Sequence, residues 1–351
     1  ISACLVGSEM CIRDRYTDEE IKDMSDEEYR NNLYSLWTNY CVSESYEPGS
    51  TFKPVTVASA LEEGVVKDGD TYVCKGFETV ADYKLKCHVF STIGSHGSLT
   101  VEQALMNSCN PYMIHLALEM GNSRFAYYQS LFGFGKITGI DLPGETTGIV
   151  YGDRMTTIDA ACNSFGQTIN VNMMQMMAAY CSIINGGMLY QPHIVKRIES
   201  ANGEVVKEYK ANLVRQTITA STSKLLRRYL KNTVEEGTAK KAGVTGYSVA
   251  GKTGTAQKGD RKDNKWIISF IGHAPAENPK FAIYVVIDEP YGTTGTSGSS
   301  ADVLTLTHNI LEKLLPYMNV YKDASDEYED TSSSPDELTV DGIPAGTASS
   351  N

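Results

Sequence analysis

Tyr46-Glu47-Pro48-Gly49-Ser50-Thr51-Phe52-Lys53-Pro54 decides how the rest of the chain is read. Glu47-Pro48-Gly49 is a turn, and Ser50 opens an apolar helix that runs to about Glu63 and is closed by Gly64. Residues i and i+3 share a helix face, so the Ser50 hydroxyl and the Lys53 amine can meet. A serine hydroxyl is a poor nucleophile until a base takes its proton. A lysine can be that base when burial and a neighbouring positive charge depress its pKa. The pattern is weak by itself, because Ser221-Thr222-Ser223-Lys224 repeats it. There it reads as a Ser/Thr cap ahead of an exposed helix carrying Arg227, Arg228 and Lys231.

Two further stretches can carry chemistry. Ser108-Cys109-Asn110 lies between two helical segments with Pro111 next, so Ser108 and Asn110 can point into one cleft from a turn. There a serine can relay a proton and an asparagine can hold an amide. Lys252-Thr253-Gly254-Thr255 occurs once, after Gly251, in strand-like surroundings. A glycine in a strand admits close approach of another backbone. Lys252, Thr253 and Thr255 suit a carboxylate, and a strand N–H can face an acyl oxyanion.

In the order S-x-x-K, S-x-N, K-T-G, with their flanks, these motifs resemble the penicillin-binding protein transpeptidase family. Asn107-Ser108-Cys109-Asn110-Pro111, Gly251 to Gln257, and Ser164-Phe165-Gly166-Gln167 followed by a Met/Ala helix and Asn185-Gly186-Gly187 carry the likeness, from about Tyr29 to Tyr317. It is nearest to class B members of the division and sporulation type. The resemblance implies an α+β fold with a five-stranded antiparallel sheet flanked by helices. It implies Ser50 as the acylated nucleophile, Lys53 as its base, Ser108 as the proton relay, Asn110 as the holder of the substrate amide, and Lys252 as an electrostatic partner. Thr253, Gly254 and Thr255 would bind substrate, and the N–H groups of Ser50 and Thr255 would form the oxyanion hole.

The implied reaction is D,D-transpeptidation of peptidoglycan stem peptides, inhibited by β-lactams, with no metal or organic cofactor. The implied partners are a membrane-embedded glycosyltransferase and other divisome or elongasome proteins. The implied location is the extracytoplasmic face of the bacterial plasma membrane, with an anchoring helix and pedestal ahead of this stretch. Alternatives sharing the motifs are a serine β-lactamase, a D,D-carboxypeptidase, and a non-catalytic β-lactam sensor or division scaffold. No motif marks the deacylating Glu that a β-lactamase needs. Ser299-Ser300-Ala301-Asp302 departs from the small-residue and Pro pattern common at the family's outer cleft wall.

Composition agrees. The 351 residues are 41% apolar and 21% charged, which suits a large core and excludes a disordered chain. The net charge of −12 argues against a nucleic-acid partner. Eight carboxylates and no Lys or Arg lie in residues 323–351; removing those eight charges from −12 leaves −4, so the body is only mildly acidic. Residues 321–351 are expected to be a disordered acidic tail, and residues 16–320 the domain. Met10 to Arg15 resembles a translated sequencing adapter, so residues 1–15 are expected to be a scar. The eight cysteines show no C-x-x-C spacing and hence no zinc pattern. Cys74, Cys87 and Cys109 read either as free thiols or as a source of a disulfide at Cys109 that gates the site. His88, His96 and His115 suggest no metal constellation, and Trp266 reads as hairpin core.

Between the motifs, periodicity predicts helices over 17–40, 100–120 with an Asn-Pro break, 122–133, 155–162, 171–185, 221–236 and up to about 315. Short strands and loops fill 65–98. Asn202-Gly203 predicts a two-residue hairpin turn. Ser248–Ala256, Trp266–Ala274 and Lys280–Asp288 predict three strands, the last two a hairpin, in a sheet of mixed origin.

Overall fold

The computed structural model describes residues 17–259, 265–290 and 299–322. The expectations for residues 1–15 and for the tail from 323 onward therefore lie outside the described residues, as does most of the Gly/Ser/Thr loop at 292–300. The amphipathic N-terminal stretch divides into α1 (Asp18–Asp23), α2 (Asp26–Trp37) and α3 (Tyr40–Ser43). Thr17 and Glu20 cap α1 reciprocally, and Asn39 caps α3. A 3₁₀ turn over Gly49–Phe52 then leads into α4 (Lys53–Glu63), which Gly64 ends in a left-handed conformation.

A run of short strands follows: β1 (Thr71–Cys74), β2 (Phe77–Val80), β3 (Tyr83–Lys86) and β4 (Gly97–Thr100). They form two separate two-stranded ribbons, β1 with β4 and β2 with β3. The predicted Asn-Pro break separates α5 (Val101–Met106) from α6 (Asn110–Met120), and Gly121 passes the chain to α7 (Asn122–Leu131). After α8 (Thr157–Asn163) and α9 (Met173–Ile184), β5 (Met188–Gln191) pairs with β8 (Asn212–Gln216), a pairing the sequence did not suggest. Between them β6 (Arg197–Glu199) and β7 (Val205–Glu208) form the expected hairpin. Its turn is longer than two residues. Glu199 pairs with Val205, and the Ser200 N–H reaches the Glu204 carbonyl, so residues 200–204 form the loop. A register shift beside Glu199 absorbs the extra residues.

The chain closes with α10 (Ala220–Glu235), β9 (Ala250–Lys258), β10 (Lys265–Ala274), β11 (Phe281–Asp288) and α11 (Ala301–Tyr317). Thr219 caps α10, so Ser221 to Lys224 is a helix start and not a second reactive site. The fold class is α+β as expected. The strand count differs, since among the described residues the central sheet has three strands in the order β11-β10-β9, all antiparallel. The chain from Asp18 to Ser43 is helical, so it supplies no strand beyond β11.

Burial explains the layering. All eight residues from Lys53 to Ala60 are buried, making α4 the central helix. Around it Phe52, Tyr112, Met176, Tyr180, Leu226 and Tyr229 form one core with α6, α9 and α10. A second core joins Ile268 and Phe270 of β10 to Val303, Leu311 and Leu315 of α11. Ile271 belongs to the first core, so neighbouring residues of β10 serve opposite faces of the sheet. Among the described residues no helix is long and apolar enough to cross a membrane. Phe270→Ala opens a cavity where sheet meets α11, and we expect urea denaturation to show a loss of about 3–5 kcal/mol.

Candidate active site

The sheet and the α4 turn meet through main chain. Strand β9 sets Lys252 opposite Ile271, Gly254 opposite Ser269 and Thr255 opposite Ile268. A Cβ on Gly254 would strike Ser269 Oγ and come within 2.9 Å of the Pro48 carbonyl oxygen. Gly49 has φ +56, its N–H donates to the Gly166 carbonyl at 2.9 Å, and a Cβ there would lie 2.6 Å from the Thr255 carbonyl oxygen. Both glycines are needed for close approach, and Gly49 also for its backbone conformation. The turn is further held by Thr51 Oγ1 donating to the Pro48 carbonyl at 2.7 Å, and by Glu47 Oε1 accepting the Thr168 N–H at 2.8 Å.

Within this frame Ser50 is half-buried while Lys53 is completely buried. Lys53 Nζ donates to the Ser108 carbonyl at 2.6 Å, to Ser108 Oγ at 3.0 Å and to Asn110 Oδ1 at 2.6 Å. All three ammonium hydrogens are therefore engaged. Burial brings the Lys53 pKa down to about 8, a shift that the neighbouring Cys87 and Cys109 partly oppose. Ser108 sits in the left-handed region at φ +55, an unusual place for a residue with a side chain. Lys252 is also completely buried, and its pKa is well below the ordinary value, first from burial and then from the charge of Lys53. Its Nζ donates to the Thr253 carbonyl at 3.2 Å, and Thr253 Oγ1 donates to Thr238 Oγ1 at 3.4 Å.

Ser50, Ser108, Asn110, Thr253 and Thr255 all line one cleft of about 440 Å³. Of the other residues singled out, Lys53 lies beneath the cleft, bonded to Ser108 and Asn110, and Lys252 and Gly254 lie in the buried part of β9. The arrangement offers a hydroxyl at the surface, a low-pKa amine below it, a second hydroxyl, an amide, and the strand edge of β9. That set suits acyl transfer to a serine.

The motifs and their setting now stand together, and a profile described as "Penicillin binding protein transpeptidase domain" matches residues 13–312. The chain belongs to that family. It is 41% identical over 288 residues to stage V sporulation protein D of Bacillus subtilis, covering 80% of this chain and 44% of that protein. It is 32% identical over 292 residues to the peptidoglycan D,D-transpeptidase FtsI of Escherichia coli, covering 82% and 46%. The chain thus spans about half the length of the curated relatives it matches. Among solved structures, penicillin-binding protein 3 of Mycobacterium tuberculosis in complex with aztreonam superposes with a TM-score of 0.73 at 29% identity, covering 81% of this chain and 65% of that one.

Several cleft residues of this transpeptidase domain were not singled out as site residues in the sequence. Phe165, Gln167, Thr238, His88 and Ser300 line the cleft with the residues above. Phe165 and Gln167 stood in a stretch already noted; Thr238 gave no signal. Trp266 also lines the cleft and is only half-buried, so its reading as hairpin core is corrected. Its place next to Lys265 at the open start of β10 explains this.

The reading of the cysteines and histidines as lacking a metal constellation is also corrected. The sulfurs of Cys74, Cys87 and Cys109 and a ring nitrogen of His96 all lie within 4.8 Å of one another. The three cysteines are free thiols here. The Cys109 thiol donates to Cys87, which draws Cys87 towards the thiolate and raises the Cys109 pKa. His115 instead stacks on Tyr72 at 4.9 Å.

Gly49→Ala should push the α4 turn away from β9. We expect a lowered melting temperature and loss of acylation by a fluorescent penicillin, with a backbone penalty of about 1–3 kcal/mol; an unchanged acylation rate would contradict the close packing.

Proposed function

We propose that residues 16–320 are the catalytic domain of a peptidoglycan D,D-transpeptidase that works through a Ser50 acyl-enzyme. The observation that carries the reading is Lys53. It is a completely buried amine, with a pKa of about 8, bonded to the Ser108 hydroxyl and the Asn110 amide oxygen. When it loses a proton, one of its three donated bonds is given up and a lone pair becomes available to take the Ser50 proton.

Ser50 then attacks the D-Ala-D-Ala carbonyl of a stem peptide. The N–H groups of Ser50 and Thr255 receive the oxyanion, Ser108 returns the proton to the departing D-Ala amine, and Asn110 holds the substrate amide. Thr253 and Thr255 bind the terminal carboxylate, with Gly254 allowing the strand to lie close and Lys252 supplying positive potential behind them. An amine on a second stem takes the acyl group. No metal or organic cofactor enters these steps.

The reading is supported by the cleft geometry and by the names of the relatives, which include peptidoglycan D,D-transpeptidases. It extends to action at the extracytoplasmic face of the plasma membrane, tethered by an anchor segment outside this stretch. Work beside a membrane-embedded glycosyltransferase and other division or elongation proteins is part of the same reading.

Incubation with a fluorescent penicillin and intact-mass analysis should give one stable adduct, absent in Ser50→Ala; rapid loss of the adduct would point to a β-lactamase. Because only neutral Lys53 can act as base and its pKa is lowered to about 8, the acylation rate should rise as pH increases, by about tenfold per unit well below pH 8, and flatten above it. A flat profile between pH 6 and 8, measured as roughly constant second-order rates, would remove Lys53 from that role.

A further inference from the structure

The segment from Thr71 to Ser98 presents a puzzle of stability. It is two short ribbons, and its only buried side chains are Cys74, Val80 and Cys87. So small a unit cannot hold its shape by apolar burial, and such units are commonly stapled by disulfides or metals. Here Cys74 ends β1, Cys87 follows β3, His96 precedes β4, and Cys109 is the residue before α6.

We propose that Cys74, Cys87, His96 and Cys109 form a structural zinc site that fixes the Ser108–Asn110 turn. Zinc bonds of about 2.3 Å to sulfur and 2.0–2.1 Å to nitrogen, arranged tetrahedrally, set sulfur and nitrogen about 3.6 Å apart. His96 Nδ1 lies 3.6 Å from Cys87 Sγ and 3.8 Å from Cys74 Sγ. Three thiolates and an imidazole are a donor set suited to tetrahedral zinc.

A second observation concerns the shell outside the ligands. The Cys74 sulfur accepts the backbone N–H of Gly76 at 3.4 Å. Such a bond orients a thiolate ligand and stabilises its charge. A disulfide would use two of the three sulfurs and leave the third and the imidazole without a role. His88 Nδ1, at 3.8 Å from Cys87, is exposed at the cleft and lies outside the four-atom cluster.

The site stands behind the catalytic turn. Cys109 lies between Ser108 and Asn110, both of which Lys53 grips from the other side. The metal is thus a positioning device and takes no part in the chemistry. This role rests on the function proposed above; metal binding itself does not.

The full chain, expressed with zinc in the medium, should carry one zinc per chain by native mass spectrometry. Replacement by Co²⁺ should give the thiolate-to-cobalt charge-transfer and red d–d bands of a tetrahedral site. Cys74→Ser and His96→Gln should each weaken metal binding by roughly a hundredfold or more. If either variant misfolds, the wild type still decides. Zinc should shield Cys74, Cys87 and Cys109 from iodoacetamide, and a chelator should expose all three while leaving the labelling of Cys41 unchanged.

No metal uptake, a disulfide among the three cysteines, or equal labelling with and without zinc would overturn the site. Removal of zinc should slow acylation on the order of tenfold or more. Zinc binding with an unchanged acylation rate would overturn the positioning role alone. Cobalt bands in a protein that never acylates would separate the site from the function proposed above.

Discussion

A buried lysine ammonium is the constraint around which the domain is arranged. An ion removed from water is costly unless its hydrogens find acceptors. Lys53 finds them in a carbonyl, a hydroxyl and an amide, all from the turn between α5 and α6. Satisfying the charge therefore fixes the start of α4 against that turn, and Ser108 is held in a left-handed conformation where the carbonyl and the hydroxyl can both face Nζ. A second buried lysine, Lys252, adds repulsion to burial in the same region. Two buried amines so close together make the centre of the domain electrostatically expensive, and both are held below the ordinary lysine value.

What the sequence revealed, and what it hid, follows from how local each signal is. Ser50 and Lys53 were singled out by their i, i+3 spacing; in the structure Ser50 sits in the 3₁₀ turn, Lys53 begins α4, and the lysine's partners are Ser108 and Asn110. The α5–α6 break was legible because a proline is best placed in the first turn of a helix, so Pro111 marks a new helix start at Asn110. The β10–β11 hairpin was legible as two apolar runs around a turn. The sheet size was taken from a resemblance; among the described residues the central sheet has three strands. The pairing of β5 with β8 escaped because the strands are four and five residues long and a whole hairpin separates them. Trp266 was misread because an aromatic in an apolar run gives no indication that its strand end opens on a cleft.

The cysteine cluster shows the same limit most clearly. Its members are 13, 9 and 13 residues apart, which is no spacing that a linear motif would carry. They meet only because β1 pairs with β4 while β2 folds on β3, so that two ribbons bring four side chains to the base of α6. Short strands over 65–98 were expected from the sequence, but their convergence depends on pairings that are long-range relative to their size and leave no mark in it.

The main-chain contact between the Gly49 turn and β9 has a consequence for how this cleft can change over generations. Where two backbones touch through Gly49 and Gly254, nearly every substitution places new atoms inside an occupied space, so that wall of the pocket is closed to gradual remodelling. Under the proposed function, Ser50, Lys53, Ser108 and Asn110 are locked by their chemistry. Among the described residues, variation that alters which ligands fit then falls on the remaining lining, at His88, Phe165, Gln167, Thr238, Trp266 and Ser300, where none of the backbone need move. Drift in ligand preference should accordingly be recorded in those few positions, while the floor between them stays the same.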